Sequence, residues 1–240
     1  MYTIVLTVYF WLVSIFSILL SLPICLIAFP FVDQKTFARI YEIITSHIML
    51  YSMIVPGFWE VNIIDNRKDK NWEDKKFIII ANHISFVDSL FLGLIPVKKK
   101  FMIAKIFTKI PIFGWLVKTS GFIDVDKNDK TTTYNAVERA IHTIGSDNSS
   151  LAIFPEGMRS PIPYQLCDFK TGAFRIAKAT QIPILPLTLK GTAEAMRIGG
   201  IVNFAAISVT IDEPFFIEHE KYDMYIKNVK EMIDQNLKTI

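Results

Sequence analysis

The stretch FIIIANHISFVDSL, residues 77–90, decides the fold class. Its first four residues are apolar and predict a central strand that is covered on both faces. An amide, an imidazole, a hydroxyl and a carboxylate follow this strand, at Asn82, His83, Ser85 and Asp88. In open α/β sheets, ligands bind beyond the carboxyl ends of the strands. The stretch therefore predicts an α/β protein with a functional site after this strand.

Apolar segments alternate with helical patterns along the rest of the chain. Further strands are predicted at residues 58–64, 101–104, 121–125, 151–154, 182–189 and 206–211, and helices at 130–144, 172–180 and 224–237. The prolines of 182–189 predict that this strand lies near a sheet edge or that they fall at its start. The alternation predicts an α/β fold with a mixed, largely parallel central sheet flanked by helices.

Residues 1–32 contain no charged side chain and are predicted to form an N-terminal membrane segment. A bilayer span needs about 20 apolar residues, so this longer run leaves open a tilted or bent membrane helix and a re-entrant segment in one leaflet. We expect it to be retained, because it lacks the basic start and the cleavage site of a signal peptide. Lys35 and Arg39 follow it, which predicts a catalytic domain on the cytoplasmic face.

The rest of the chain is predicted to form one domain. Residues 33–56 carry apolar side chains at helical spacing and predict an amphipathic helix that links the membrane segment to the domain. This helix either packs on the domain or lies in the membrane interface. Residues 57–240 then form the catalytic domain.

The charges and cysteines exclude some classes of function. The net charge of +3 is too small for a generic nucleic-acid binder, so we expect no nucleic-acid partner. No Cys/His cluster has the spacing of zinc ligands, and we expect no metal site. Between Asp88 and Asp124 the chain has lysines but no acidic residue. That region is a solvated face, a site for anionic substrates or a contact with anionic headgroups.

Two polar sets carry the candidate chemistry, NHISFVD at 82–88 and FPEGMRS at 154–160. On a regular helix, five residues turn by about 500°, so His83 and Asp88 would face apart. If His83 lies in the loop and Asp88 in the first helical turn, the carboxylate can reach the imidazole and fix its tautomer. Alternatively, Ser85 and Asp88 form a helix cap. The spacing leaves both roles open.

The pattern N-H-x-x-x-x-D, followed about 70 residues later by F-P-E-G-x-R-S, resembles the glycerophospholipid acyltransferase family, which includes the 1-acyl-glycerol-3-phosphate acyltransferases. The resemblance covers about residues 60–215. Further segments agree at KIFTKIPIFGW (105–115), GFIDVDK (121–127), FKTGAFRIA (169–177) and IPILPLTL (182–189). Two positions depart from the family pattern. Met158 stands where Thr is usual, and Lys127 stands where Arg is usual.

The resemblance implies that His83 is a general base oriented by Asp88. The substrate-binding residues that it implies are Glu156, Gly157, Arg159, Lys105 and Lys127. Among these, Arg159 would bind the acceptor's phosphate, and Glu156 would orient Arg159 or accept a hydroxyl hydrogen bond.

The implied reaction moves an acyl chain from acyl-CoA or acyl carrier protein to the free hydroxyl of lysophosphatidate and gives phosphatidate. It needs no cofactor, and its partners are the membrane lipid, the acyl donor and the bilayer. Alternatives are acylation of another lysophospholipid or lyso-aminolipid, and a non-catalytic lipid-binding membrane protein. A hydrolase would need a serine in G-x-S-x-G, which the sequence lacks.

Overall fold

The computed structural model describes residues 2–28, 30–33, 36, 40, 43–110, 113–126, 129–146, 148–196 and 199–239. The strands are β1 Trp59–Asp65, β2 Ile78–Ala81, β3 Lys99–Ala104, β4 Ile123–Val125, β5 Ser150–Ile153, β6 Ile184–Lys190 and β7 Ala205–Ile211. The α-helices are α1 Tyr2–Ala28, α2 Ile48–Ile54, α3 Asp88–Leu92, α4 Phe113–Thr119, α5 Lys130–Ser146, α6 Gly172–Thr180, α7 Thr192–Ala195 and α8 Tyr222–Thr239.

The strands form one seven-stranded sheet in the order β1-β7-β6-β2-β5-β3-β4. The pair β6 and β7 is antiparallel, and the other neighbouring pairs are parallel. The predicted mixed, largely parallel sheet flanked by helices is confirmed.

Strand β2 separates two hydrophobic cores. Ile78 and Ile80 pack with residues of α5, α6 and α8 on one face. Ile79 and Ala81 pack with residues of α1, α2 and α3 on the other face. Because successive side chains of a strand point to opposite faces, a strand covered on both faces needs apolar residues throughout. This explains the uninterrupted apolar run.

The proline-containing strand β6 is not at an edge, so the edge alternative predicted for it is wrong. It lies between β2 and β7. Pro183 precedes the strand, as the sequence allowed. The carbonyl of Pro186 accepts a hydrogen bond from the N–H of Asp212 at 3.0 Å, one residue beyond the end of β7. Pro186 therefore lacks an N–H only where the pairing with β7 ends, so a proline is tolerated at this position of a central strand.

Helix α1 contains the apolar segment Tyr2–Ser21, which is long and apolar enough to cross a membrane, with a mean hydropathy of 2.3 and 22% of it buried. Pro23 lies inside the helix. Phe10 is fully buried, and its ring lies 5.8 Å from that of Trp59 in β1. Trp11 Nε1 donates to the carbonyl of Gly200 at 3.0 Å. One side of α1 is thus packed on the sheet domain.

The predicted linking helix at 33–56 is described only in part, and Lys35 and Arg39 lie outside the described residues. A π-helix, Ile43–His47, leads into α2. The buried side chains of α2 belong to the core shared with β1; they are Met49, Leu50 and Met53. The described end of this segment therefore packs on the domain, which is one of the two alternatives left open by the sequence.

Candidate active site

The two polar sets meet at one edge of the sheet. Strands β2 and β5 are parallel neighbours, and Ile80 pairs with Ile153. The loops that follow them, at 82–88 and 154–160, therefore leave the sheet side by side. Parallel pairing brings together residues that are about 70 positions apart in the sequence.

Asn82 fixes the start of the first loop. Its side-chain amide donates to the carbonyl of Leu189 at 2.8 Å, and its side-chain oxygen accepts from the N–H of Leu189 at 2.8 Å. The amide thus pairs with β6 as a backbone group would and is fully buried. Satisfying both groups avoids the cost of an unpaired buried amide and anchors the residue before His83.

His83 lies in the loop, and Asp88 begins α3. His83 Nδ1 is 2.8 Å from Asp88 Oδ2, and the Asp88 side chain is fully buried. The same oxygen accepts the N–H groups of Ile84 and Ser85, each at 2.7 Å. Because an ionised carboxylate only accepts, Nδ1 carries the proton and Nε2 is left as a proton acceptor. The imidazole is 19% exposed, so a substrate can reach it.

Asp88 combines the two roles that the sequence left open. Its bond to the N–H of Ser85 is one half of a capping box, and its bond to His83 orients the imidazole. Val87 directly precedes α3, and its N–H donates to the Ser85 hydroxyl oxygen at 3.4 Å, so Ser85 also bonds the start of the helix. The same hydroxyl donates to the carbonyl of Met196 at 3.0 Å.

Glu156 holds the two loops together through backbone groups. Its Oε1 accepts the N–H of His83 at 2.7 Å, and its Oε2 accepts the N–H of Cys167 at 2.8 Å. The side chain is 2% exposed. Burial raises the pKa of this carboxyl above its usual range, and the two N–H groups offset part of that rise. The geometry thus gives Glu156 a positioning role, and contact with substrate stays a prediction for it.

The thiol of Cys167 lies beside Glu156. Burial, then the neighbouring Glu156 carboxylate, raise the pKa of this thiol. Because the thiolate is the nucleophilic form of cysteine, a raised pKa keeps the group unreactive near neutral pH. Cys167 is therefore a poor candidate for a covalent acyl carrier.

The turn after Glu156 is flanked by two cations. Gly157 has φ +68°, and a β-carbon there would lie 2.9 Å from Lys170 Nζ. Arg159 is exposed, as is Lys170. Within the described residues, neither side chain has a hydrogen bond or ion pair. Sequence reasoning missed Lys170, although the agreeing segment FKTGAFRIA contains it.

The other two predicted cations are Lys105 and Lys127. Lys105 begins a 3₁₀-helix, Lys105–Lys109, directly after β3. Its Nζ is 3.6 Å from Asp126 Oδ2, and its side chain is 46% exposed. Since β3 neighbours β5, Lys105 lies at the same edge of the sheet as the FPEG loop. Lys127 lies outside the described residues.

This arrangement suits proton transfer from a hydroxyl. The imidazole can accept a proton at Nε2 and is hydrogen-bonded at Nδ1 to a buried carboxylate. That carboxylate stabilises the imidazolium that forms when the proton is taken. Exposed cations nearby suit an anionic substrate. In the described part of the chain, no three His, Cys, Asp or Glu side chains gather as metal ligands would.

Comparison with known proteins identifies the family. The model of the Acyltransferase family matches residues 60–190, which is more than half of the chain and includes both polar sets. The chain belongs to the Acyltransferase family. The resemblance predicted from the motifs is confirmed.

Curated relatives of this chain include proteins of plants and of yeast. A chloroplastic 1-acyl-sn-glycerol-3-phosphate acyltransferase of Brassica napus is 29% identical over 169 residues, covering 70% of this chain and 48% of that protein. The 1-acyl-sn-glycerol-3-phosphate acyltransferase of Saccharomyces cerevisiae is 28% identical over 178 residues, covering 72% and 59%. The chain thus spans about half the length of the curated relatives that it matches.

A solved structure has the same fold. The 1-acyl-sn-glycerophosphate acyltransferase PlsC from Thermotoga maritima superimposes with a TM-score of 0.79 at 21% identity. The alignment covers 98% of this chain and 94% of that chain. The shared fold therefore extends over the N-terminal helix as well as the sheet domain.

Proposed function

We propose that this acyltransferase moves an acyl chain from a thioester to the free hydroxyl of lysophosphatidate and so makes phosphatidate. The names of its relatives support this acceptor. The observation that carries the chemistry is the His83 imidazole, bound at Nδ1 by the buried Asp88 and partly exposed. This is the arrangement that a general base for a hydroxyl requires.

His83 Nε2 takes the proton of the lysolipid hydroxyl, and the oxygen attacks the thioester carbonyl. The new C–O bond gives a tetrahedral oxyanion, whose collapse breaks the C–S bond. The departing sulfur then takes the proton from the imidazolium, which restores the base. This route needs no acyl-enzyme. The Ser85 hydroxyl is bonded to a backbone carbonyl, and the raised pKa of the Cys167 thiol disfavours its nucleophilic thiolate form.

The acceptor's phosphate is proposed to bind Arg159, whose planar guanidinium fits phosphate oxygens in a bidentate manner. Lys170 beside Gly157 and Lys105 beyond β3 add positive charge at the same edge. Lys127 stays a predicted contributor. A test is Arg159→Ala assayed with lysophosphatidate and with a neutral monoacylglycerol. The loss should be greater for lysophosphatidate, and equal losses would exclude phosphate binding by Arg159.

The acyl donor is proposed to be acyl-CoA or acyl carrier protein, with no cofactor. Lysophosphatidate is the acceptor that the relatives favour, and acylation of another lysophospholipid or lyso-aminolipid is the competing activity. Mass spectrometry of products from a panel of lysolipids, each offered with both donors, tests these choices. A product formed faster from another lysolipid would replace lysophosphatidate as the acceptor.

Membrane lipids also fit the surface beside the site. Several apolar side chains of α1 are exposed, including Val8, Leu12, Ile15, Phe16 and Leu19. The Trp11 ring lies 6.3 Å from that of Phe86, which sits between His83 and Asp88 and is 42% exposed. We propose that this apolar side of α1 lies in the membrane and that lipids reach the site along it. Because Phe10 is buried in the domain, partial insertion in one leaflet fits better than a full crossing.

The core of the proposal is tested with His83→Ala. The full chain in detergent is given lysophosphatidate and a labelled acyl thioester. The rate should fall by about 10²–10⁴-fold, the usual contribution of a general base. His142→Ala is the matched control, because His142 is an exposed histidine on α5, and it should keep the wild-type rate. A His83→Ala rate above a few per cent of wild type would remove His83 as the base.

A further inference from the structure

The aromatic ring of Phe154 lies flat against the His83 imidazole. The ring centroids are 3.9 Å apart, and the planes differ by 11°. Among the described residues, the next closest pair of aromatic rings has its centroids 5.3 Å apart. The contact between Phe154 and His83 is therefore a face-to-face stack at van der Waals distance, and it covers one face of the proposed base.

The backbone fixes this stack from both sides. Phe154 follows β5 directly, and its carbonyl accepts the N–H of Gly157 at 3.0 Å, which closes the turn that carries Glu156. Glu156 in turn accepts the N–H of His83. The Ser160 N–H donates to the His83 carbonyl at 2.7 Å. The turn that bears the phenyl ring thus also holds the main chain of the histidine.

We propose that Phe154 is a positioning residue that fixes the plane of the imidazole and stabilises the positive charge that His83 gains when it takes a proton. This inference rests on the proposed role of His83 as general base. Rotation about the bond from the β-carbon to the ring is soft, so the Asp88 bond at one nitrogen leaves the tilt of the imidazole poorly defined. The phenyl face removes that freedom and directs Nε2 outward.

The electrostatic part follows from the quadrupole of the phenyl ring. Its face is electron-rich and attracts a cation held within about 6 Å, more strongly where water is excluded. The neutral imidazole gains less from this than the imidazolium. The attraction therefore grows along the reaction coordinate and raises kcat rather than tightening substrate binding. An effect of about 10-fold in kcat is the expected scale.

Fluorination of Phe154 separates this role from simple packing. Phenylalanine carrying one, two or three ring fluorines is placed at 154, which nearly keeps the shape of the ring while weakening the electron density of its face. We expect kcat to fall with each fluorine, by about 10-fold over the series, while KM for the lysolipid changes less than about 2-fold. A flat kcat, or a change confined to KM, would overturn the proposal.

Two leucine variants provide the matched control. Phe154→Leu should lower kcat by about 10- to 30-fold with little change in KM. Phe215 stacks on Tyr225 with centroids 6.1 Å apart and planes 6° apart, at the amino end of β6 and away from the site. Phe215→Leu should lower the unfolding temperature and leave kcat unchanged. If Phe154→Leu does not fold, the fluorinated series still decides, because each of its members keeps a ring.

Failure of this inference can be told from failure of the proposed function. Wild type and His83→Ala are assayed beside the series. An active wild type, an inactive His83→Ala and a flat fluorine series would overturn the role of Phe154 alone. A wild type that acylates no lysolipid would overturn the proposed function. Proton NMR of labelled histidine gives an independent result, since stacking should shift the His83 ring protons upfield in wild type and not in Phe154→Leu.

Discussion

Asp88 and Arg67 are both charged and both buried, with 0% and 2% of their surfaces exposed. They lie on opposite sides of the sheet, one where β2 ends and the other on the side where β2 begins. Asp88 follows β2 at its carboxyl end. Arg67 follows β1, which runs opposite to β2 because the β6 and β7 pair is antiparallel.

The partners of Arg67 are close to it in the sequence. Its guanidinium bonds both carboxylate oxygens of Asp65 and the carbonyls of Lys70 and Asn71. It also lies 3.4 Å from the centroid of the Trp72 ring. A buried cation enclosed in this way by hydrogen bonds and a ring face contributes to stability, and little of it is available to a ligand.

The partners of Asp88 form an incomplete set. Three donors meet Oδ2, whereas Oδ1 has no hydrogen-bond partner among the described residues. The imidazole that it orients keeps one nitrogen available. Distant segments hold this loop, through Glu156, Leu189 and Met196. A buried charge whose partners are its neighbours in sequence has a structural role. A buried charge that is held by remote loops, and whose histidine partner keeps a free nitrogen, is suited to chemistry.

The largest effect should come from Asp88→Asn. The amide cannot stabilise the imidazolium and permits the wrong tautomer, so kcat should fall by about 10²–10⁴-fold. The unfolding temperature should change little, because the amide oxygen still accepts backbone N–H groups. Steady-state kinetics and thermal unfolding of the same sample check both parts. A variant that keeps a tenth of the wild-type kcat would place Asp88 in the structural class with Arg67.

Arg67→Met should show the reverse pattern. Removal of the guanidinium takes two hydrogen bonds from the Asp65 carboxylate and one from each of two backbone carbonyls, and we expect the free energy of unfolding to fall by about 2–4 kcal/mol. The kcat of the folded protein should stay within about 2-fold of wild type. Urea titration followed by an assay at low temperature measures both. A large loss of kcat at unchanged stability would break the comparison.

Glu156→Gln should have an intermediate effect on stability. Glutamine accepts one of the two backbone N–H groups and leaves the other unpaired, which costs about 1–3 kcal/mol. Burial raises the pKa of Glu156, so at a pH between the unfolded and the folded pKa only the folded state still holds the proton. The protonated carboxyl therefore stabilises the folded state at acid pH, and this stabilisation is lost as the pH rises through the folded pKa.

The stability gap between wild type and Glu156→Gln should therefore narrow as the pH rises above about 4.3, the usual pKa of glutamate. Urea titrations between pH 4 and 8 measure the gap. A gap that widens with pH would mean that the two backbone donors outweigh burial.

The smallest effect, with the opposite pH dependence, is expected for Asp65→Asn. Burial alone raises the pKa of Asp65, but the hydrogen bonds and the charge of Arg67 outweigh it, so the net pKa lies below its usual range. Its stabilisation is present above about pH 3.9 and is lost as the pH falls through the folded pKa.

The loss for Asp65→Asn should be about 1 kcal/mol near pH 6, because the Asp65 side chain is 25% exposed. The same urea titrations, extended to pH 3, should show the gap to wild type closing towards acid. A gap that stays constant with pH would show that the Arg67 pair contributes through packing alone.

Much of the candidate site could be predicted from the sequence because it depends on local pattern. The apolar run before Asn82 predicted a strand covered on both faces, and the sheet has that strand near its centre. Parallel strands then require the following loops to share an edge. The interval between His83 and Asp88 predicted a contact only if His83 lay in the loop and Asp88 in the first helical turn. The structure has this arrangement.

The contacts that hold the site could not be predicted. Glu156 and Asn82 bind backbone groups, which every residue has, so no side-chain pattern marks their partners. Phenylalanine is an ordinary core residue, so nothing in the sequence marks Phe154. Its stack on His83 depends on the register of β5 against β2. The central position of β6 was also missed. Whether the N–H that Pro186 lacks would have had a partner depends on where β7 ends, and the sequence does not show this.

The sequence by itself determined the α/β class, the two loops that carry the polar groups and the apolar N-terminal helix. Those features follow from side-chain periodicity and from the order of strands and helices along the chain. The tertiary structure decided which groups touch: Asp88 on the imidazole edge, Phe154 on its face, and Glu156 beneath its backbone. Such contacts depend on distances between segments far apart in the chain, and only the packed sheet fixes them.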